Sequence, residues 1–401
     1  METFNRLKIG FDRDMRLLTW SIFTRRIVMG FLQVVRAIYF ALLGYNAVKI
    51  GLLLSIATLL SAVHHITFGY LCDRYGRKPF LILGSVFAAA RTAIFAISTD
   101  FWMLALGQSL GAMGEGVGAG QPVVSGYITD KVESRNRPNV YSSMAITNGL
   151  ASTLGLSLGG LPLLVETRLG YNMVDSHQLL WWMCTAVNLF SLVFLFPLKE
   201  GERVQKITES ESSGKAVKNW DIILKFSLTR STSGLGWGMI NSLITLYFFE
   251  RFGVGSEVLG PILALSRFLS IFTYLVTPRV VGRFGPIPTI VASRILSASV
   301  TVLFALSSWY SLAVLFMMLN RVIVLFTMPI RQTFASGMVS PEETATAIGV
   351  SNSARMGVRT IAPTLAGYMF EAVSLTLPFY TGAVLMALNG WFFWSFFKPE
   401  S

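Results

Sequence analysis

The sequence predicts an all-α integral membrane protein with twelve transmembrane helices in two pseudo-symmetric bundles of six. Three observations lead to this fold class. Of the 401 residues, 53% are apolar and 13% are charged, about half the charged fraction of ordinary soluble domains. Apolar segments of about 20 residues, long enough to span a bilayer, recur along the whole chain. Short motifs also repeat at a nearly constant separation.

The composition excludes several other classes of protein. The mean hydropathy of +0.58 is too high for a disordered chain. Two cysteines are too few for a secreted scaffold held together by disulfides. Segments of alternating polarity, which are typical of β-barrels, are missing from the sequence. The net charge of +12 suggests nucleic acid in a soluble protein, but in a membrane protein it first suggests topology.

Twelve apolar segments are separated by short polar breaks that contain proline, glycine or charged residues. The predicted spans cover residues 27–45, 47–72, 79–99, 101–129, 138–165, 178–198, 228–250, 257–278, 286–307, 309–336, 344–369 and 374–397.

A longer polar stretch divides these spans six and six, and motifs recur on its two sides. The recurring pairs are Arg74-Tyr75-Gly76 with Arg283-Phe284-Gly285, Trp102 with Trp309, and Ile146-Thr147-Asn148 with Val350-Ser351-Asn352. We therefore predict an N-terminal bundle at 1–198, a linker at 199–227 and a C-terminal bundle at 228–401.

The basic residues predict the orientation in the membrane. With both ends inside, 23 of the 33 Lys and Arg residues lie on the inner side and three lie outside. Positive charges accumulate on the cytoplasmic side of membrane proteins. We therefore expect a monomeric, multi-pass protein of the cell membrane, embedded in the lipid bilayer with both termini cytoplasmic, and no nucleic-acid partner.

The loop after the second span carries a recognisable motif. Residues 69–78 read G-Y-L-C-D-R-Y-G-R-K. They resemble the major facilitator superfamily motif G-x-L-x-D-R-x-G-R-K at every fixed position, which here means Gly69, Asp73, Arg74, Gly76, Arg77 and Lys78. The resemblance implies secondary transport by two halves that rock around a central cavity. It also implies that the aspartate locks the halves together at the cytoplasmic face.

Each residue type in this loop has a physical reason. Gly69 allows close helix approach, and Gly76 permits a tight turn. Asp73 can accept hydrogen bonds at a helix N-terminus, and residues 341–343 are the predicted helix start. Arg77 and Lys78 either take part in gating or serve only as topology charges. Gly282 replaces the aspartate in the second half.

Two other family patterns match only in part. Gln108 stands where the family has an arginine in span 4, before Leu110, Gly114 and Gly116. In span 5, residues 155–160 resemble the antiporter pattern G-P-x-x-G-G, with Leu156 in place of proline. The second pattern suggests antiport only weakly.

Seven arginines fall within the predicted spans. Arg294 lies near a span end and can snorkel to the interface. The family resemblance implies that span 3 is peripheral, so Arg91 is expected to be structural. The remaining five lie near mid-depth on spans 1, 8, 10 and 11, which the resemblance implies line the central cavity. It therefore implies the substrate-cavity residues Arg36, Arg267, Arg321, Arg355 and Arg359. Each isolated charge there costs about 2.5–3.5 kcal/mol. The alternative is that these arginines only bind helix ends and backbone carbonyls.

Glu115 in span 4 is the predicted proton-coupling residue, because it is the one deep carboxylate in the spans. Arg36 is its expected partner. The alternative is a static Glu–Arg pair that joins spans 1 and 4. Arg355 and Arg359 lie four residues apart, so they share a helix face and can form a fork for a carboxylate or phosphate.

The sequence thus predicts a secondary transporter, coupled to protons, that exports an anionic or amphipathic small molecule. The alternatives are a proton-coupled importer of an organic anion and a sensor that no longer transports. No nucleotide-binding loop, metal cluster or catalytic constellation is recognisable. We therefore expect no enzymatic activity, no cofactor and no metal.

Overall fold

A computed structural model describes residues 12–115, 122–133, 135–200, 220–327, 330–331 and 344–397. In these ranges the regular structure is helical throughout, which agrees with the predicted fold class. Five helices among them are long and apolar enough to cross a membrane: Ala47–His64, Lys78–Ile97, Asn139–Leu169, Met173–Leu195 and Pro286–Leu306.

Helices of the first half follow the predicted order of spans. They are α1 Arg13–Leu42, α2 Ala47–Tyr75, α3 Lys78–Ile97, α4 Phe101–Glu115, α5 Pro122–Lys131, α6 Arg137–Ser157, α7 Leu161–Leu169 and α8 Met173–Leu195. A 3₁₀ turn at Leu158–Gly160 joins α6 to α7.

Helices of the second half begin within the predicted linker. They are α9 Trp220–Asn241, α10 Ile244–Phe252, α11 Ser256–Phe284, α12 Pro286–Leu306, α13 Tyr310–Phe326, α14 Thr344–Ala372 and α15 Leu377–Phe397. The seventh predicted span, 228–250, is divided between α9 and α10.

Helix α1 begins 14 residues before the predicted span 27–45. The Asp12 carboxylate caps this helix by accepting a hydrogen bond of 3.0 Å from the backbone N–H of Met15. Met15 and Leu18 then pack into the core of the first half. The sequence analysis did not predict this extension before the span, because arginines at the helix start reduce the local hydropathy below that of a span.

The chain divides into two compact units. One contains the described residues within 1–43, 56–213 and 256–264, and the other those within 44–55, 214–255 and 265–401. The start of α2 therefore packs in the second unit, where the Ser55 hydroxyl lies 2.7 Å from that of Thr364. The start of α11 packs in the first unit, where a Cβ on Gly260 would collide with the Leu156 carbonyl oxygen.

Candidate functional site

The motif loop connects α2 to α3 through a left-handed turn at Gly76, whose φ is +100°. The Glu200 carboxylate caps α3 by accepting hydrogen bonds from the backbone N–H of Arg77 at 2.5 Å and of Lys78 at 3.2 Å. A Cβ on Gly76 would lie 3.0 Å from this carboxylate. The sequence analysis missed Glu200 because it lies 123 positions from Arg77.

The two basic side chains after the turn connect α3 to neighbouring helices. The Arg77 guanidinium forms an ion pair of 3.2 Å with Asp130 at the end of α5. Gly126 leaves room for it, since a Cβ there would collide with the guanidinium carbon. The Lys78 ammonium donates a 2.7 Å hydrogen bond to the carbonyl of Phe196. Arg77 and Lys78 therefore make specific contacts in addition to supplying positive charge on the predicted cytoplasmic side. Their gating role stays a prediction.

The remaining motif residues lie on α2. Arg74 is exposed, with its guanidinium 5.7 Å from the centre of the Tyr75 ring. The side chain of Asp73, Gly69 and residues 341–343 fall outside the part of the structure that is described. The predicted contact between Asp73 and a second helix start therefore stays a prediction.

Arg36 on α1 reaches the side chain of Gln108 on α4. Its Nη1 donates a 3.1 Å hydrogen bond to Gln108 Oε1, and Gln108 is completely buried. Gln108 occupies the position at which the family motif has an arginine. Glu115 is the last residue of α4, and its side chain lies outside the described residues. The pairing of Arg36 with Glu115 and the coupling role of Glu115 stay predictions.

Arg321 on α13 makes a similar contact in the second unit. Its Nη2 donates a 3.0 Å hydrogen bond to Asn241 Oδ1 at the end of α9. A cavity of about 20 Å³, lined in part by Arg321, Asn241 and Asn320, lies beside this pair. That volume has room for about one water molecule. Arg267, another predicted cavity residue, is exposed on α11.

Arg355 and Arg359 lie on α14 with their aliphatic stems against α9. A Cβ on Gly234 would lie 2.8 Å from Arg355 Cγ, and one on Gly238 would lie 3.5 Å from Arg359 Cγ. The four-residue spacings on the two helices match, so two glycines accommodate two arginine stems. This interface was not predicted, although the glycine spacing is visible in the sequence.

The two arginines that were set apart in the sequence analysis are both buried. Arg91 packs against Gly111 and places Nη2 3.1 Å from Met29 Sδ, as expected for a structural residue. Arg294 was predicted to reach the membrane interface, and this prediction is wrong. It is 1% exposed, and its Nη1 lies 3.4 Å from Met386 Sδ, because α12 turns this face toward α15.

An arginine–asparagine pair occurs in both halves at equivalent positions. Arg26 on α1 donates a 3.2 Å hydrogen bond to Asn148 on α6, and Arg230 on α9 donates to Asn352 on α14. The arginine and the asparagine of the second half each lie 204 positions after their counterparts in the first half. The two copies of the recurring motif, which end at Asn148 and Asn352, have the same separation. The internal repeat is therefore present in the contacts as well as in the sequence.

The sequence model of the major facilitator superfamily matches residues 18–355 and, in a second match, residues 226–401. The chain belongs to the major facilitator superfamily. An uncharacterized membrane protein of Saccharomyces cerevisiae is 20% identical over 404 residues, which cover 92% of this chain and 90% of that protein. Multidrug resistance protein 1 of Bacillus subtilis is 25% identical over 326 residues, 79% of each chain.

A solved structure of the same fold also aligns with this superfamily member. It is a bacterial homologue of the human lysosomal transporter Spinster, in an inward-facing and occupied conformation. The TM-score is 0.76 at 16% identity, covering 95% of each chain. Together with the apolar helices, these findings make the protein a multi-pass membrane transporter of a superfamily that carries small molecules.

Proposed function

We propose that this transporter exports an anionic or amphipathic small molecule from the cell in exchange for protons. One observation carries the proposal. Arg321, in the interior of α13, is held by a neutral side-chain amide, that of Asn241. The other predicted cavity residues Arg36, Arg267, Arg355 and Arg359 belong to the same proposal.

An amide oxygen orients a guanidinium without neutralising its charge. A guanidinium carries five N–H donors, so a single hydrogen bond to an amide leaves donors for a second group. The cost of a charge near the bilayer centre, about 2.5–3.5 kcal/mol, is then offset when an anion binds. An arginine paired with a carboxylate would have no such preference for an anionic substrate.

Two further features support export and coupling. The Bacillus subtilis relative is named for multidrug resistance, and residues 155–160 resemble the antiporter pattern in part. Glu115 is the proposed site of proton exchange, since ionisable residues inside membranes mark proton pathways. We further propose a location in the cell membrane with both termini cytoplasmic, which follows from the distribution of Lys and Arg.

The proposal is tested with purified protein in liposomes that enclose a pH-sensitive dye. Benzoate and tetraphenylphosphonium serve as anionic and cationic probes. We expect proton-linked transport of benzoate, and we expect Arg36→Gln and Arg321→Gln to lower it about tenfold or more. Arg168→Gln, which removes an exposed charge of the predicted outer loop, is the matched control.

Glu115→Gln separates coupling from binding. We expect it to abolish transport driven by a pH gradient while benzoate counterflow continues. Unchanged driven transport in this variant would exclude the coupling role. Unchanged selectivity for benzoate over tetraphenylphosphonium in both arginine variants would exclude the anion preference. Inward accumulation of benzoate with protons would establish an importer instead, and no flux of any probe would favour a sensor.

A further inference from the structure

An apolar layer closes the second unit where α9 and α12 begin. It contains Phe226 of α9, Ile290 of α12, Ile330 and Phe393 of α15, all of which are buried and in contact. Because α9 and α12 both start on the predicted cytoplasmic side, this layer lies at the cytoplasmic end of the unit. It fixes the relative position of four segments of the chain.

One helical turn beyond this layer, the same faces carry arginine. Arg230 follows Phe226 by four residues and Arg294 follows Ile290 by four, so each continues the face of its helix. Arg331 is adjacent to Ile330, and its charge interacts with those of Arg230, Arg294 and Arg355. Arg355 joins them from α14, because its stem packs on Gly234, one turn after Arg230. We call Arg230, Arg294, Arg331 and Arg355 the arginine cluster.

The cluster presents buried N–H groups that lack acceptors. Arg294 is 1% exposed, and among the described residues its Nε and Nη2 have no hydrogen-bond partner. The same holds for Nε of Arg230 and of Arg355. No carboxylate in the described ranges pairs with any of the four guanidinium groups. Four positive charges are therefore held together at an energetic cost that a bound anion reduces.

We propose that the arginine cluster binds a phosphate group, either of a soluble phosphate compound or of a lipid headgroup. A carboxylate is planar and is satisfied by one fork, whereas these donors come from four separate segments. A phosphate group is tetrahedral, carries up to two negative charges and offers several acceptor oxygens. Of the four arginines, Arg355 is also a proposed cavity residue, whereas the other three are not, and the site is assigned from the second unit alone.

The experiment measures thermal unfolding of the full-length protein in two arms. In detergent, potassium phosphate is titrated against potassium chloride at equal ionic strength. In nanodiscs, phosphatidylcholine alone is compared with phosphatidylcholine containing phosphatidic acid. We expect a saturable increase in melting temperature in at least one arm, because a ligand stabilises the state that it binds. The arm that responds distinguishes soluble phosphate from a headgroup.

Arg294→Gln and Arg331→Gln should weaken the apparent affinity for that probe about tenfold or more. Arg283→Gln, an exposed arginine stacked on Phe284, should leave it unchanged. Phosphate also stabilises proteins by exclusion from their surface, and that effect would be equal in all variants. If Arg294→Gln fails to fold, Arg331→Gln and Arg355→Lys provide the comparison.

Three results would overturn the proposal. One is the lack of a saturable response of the wild-type protein in both arms. Another is a response that is present only in the double variant Glu342→Gln/Glu343→Gln, which would mean that carboxylates of the chain itself occupy the cluster. An equal response of Arg283→Gln and the cluster variants would likewise exclude a site at these arginines.

Discussion

The α1–α6 pair of the first half and the α9–α14 pair of the second half occupy equivalent places in the repeat but pack differently. In the first half, Gly30 and Gly155 bring two backbones together: a Cβ on Gly30 would lie 2.5 Å from the Ser152 carbonyl oxygen. In the second half, Gly234 and Gly238 face the stems of Arg355 and Arg359. Glycine allows close backbone approach in both pairs, since a Cβ on Gly234 would also lie 2.8 Å from the Arg355 carbonyl oxygen, and in the second pair it also makes room for long cationic side chains.

The positions themselves show what has changed between the halves. Arg355 and Arg359 stand 204 positions after Ala151 and Gly155. The first half therefore has small residues where the second half has two arginines. Because the stems pack over glycine, the charges enter the bundle without separating its helices. We infer that the positive charge of the α9–α14 pair is a specialised feature of the second half.

The largest effect is expected for Gly155→Ala. The new methyl group would overlap the backbone carbonyl of Ile27, which no side-chain rotation relieves. We expect a loss of at least about 3 kcal/mol of stability, at the upper end for overpacking. Titration with SDS, followed by tryptophan fluorescence, measures this loss. Gly149→Ala on the same helix, where a Cβ meets open space, is the control.

Gly238→Ala should be less damaging, and it should be reversible by a second change. Its Cβ would lie 2.5 Å from the Cβ of Ala362, a side-chain atom. We expect a cost of about 2 kcal/mol and recovery of most of it in the double variant Gly238→Ala/Ala362→Gly. The same SDS titration applies. Without rescue, the contrast between a backbone contact and a side-chain contact would be lost.

If the two halves depend equally on these contacts, the two arginine–asparagine pairs should contribute equally to the free energy of unfolding. Asn148→Leu and Asn352→Leu each remove the acceptor of an arginine. We expect each substitution to lower the free energy of unfolding by about 1.5 kcal/mol, which is the lower end of the range for a hydrogen bond to a charged group. Double-variant cycles with Arg26→Gln and Arg230→Gln isolate the pair energies. A difference well above 1 kcal/mol would show that only one half depends on its pair.

The smallest effect is expected at the helix starts. Glu200 caps α3 after Gly76, whereas α12 starts after Gly285, φ +80°, without a side-chain cap. Glu200→Gln should therefore destabilise by about 0.5–1 kcal/mol, because the carboxylate is exposed and screened by salt. Glu133→Gln, another exposed carboxylate, is the control. Equal melting temperatures of both variants at low salt would argue against a capping contribution.

Much of the fold follows from the sequence because hydropathy, helix punctuation and repeats are local signals. The part of α1 that precedes the predicted span was not foreseen, because Arg13 and Arg16 lower the hydropathy of a segment whose opposite face is buried. The repeat is also harder to see beyond Asn241. Tyr39-Phe40 and Tyr247-Phe248, all completely buried, are separated by 208 positions rather than 204. The break between α9 and α10 accommodates the four additional residues.

By itself, the sequence determined the membrane class, the superfamily motif and the spacing of Arg355 and Arg359, since each depends on neighbouring residues or on composition. Only the tertiary structure showed that Arg36 contacts Gln108, that Glu200 caps α3 and that Arg294 is buried. These contacts join residues far apart in the chain. In a helix that is apolar on nearly every side, periodicity does not indicate which face meets a neighbour, so packing alone decides which charges come together.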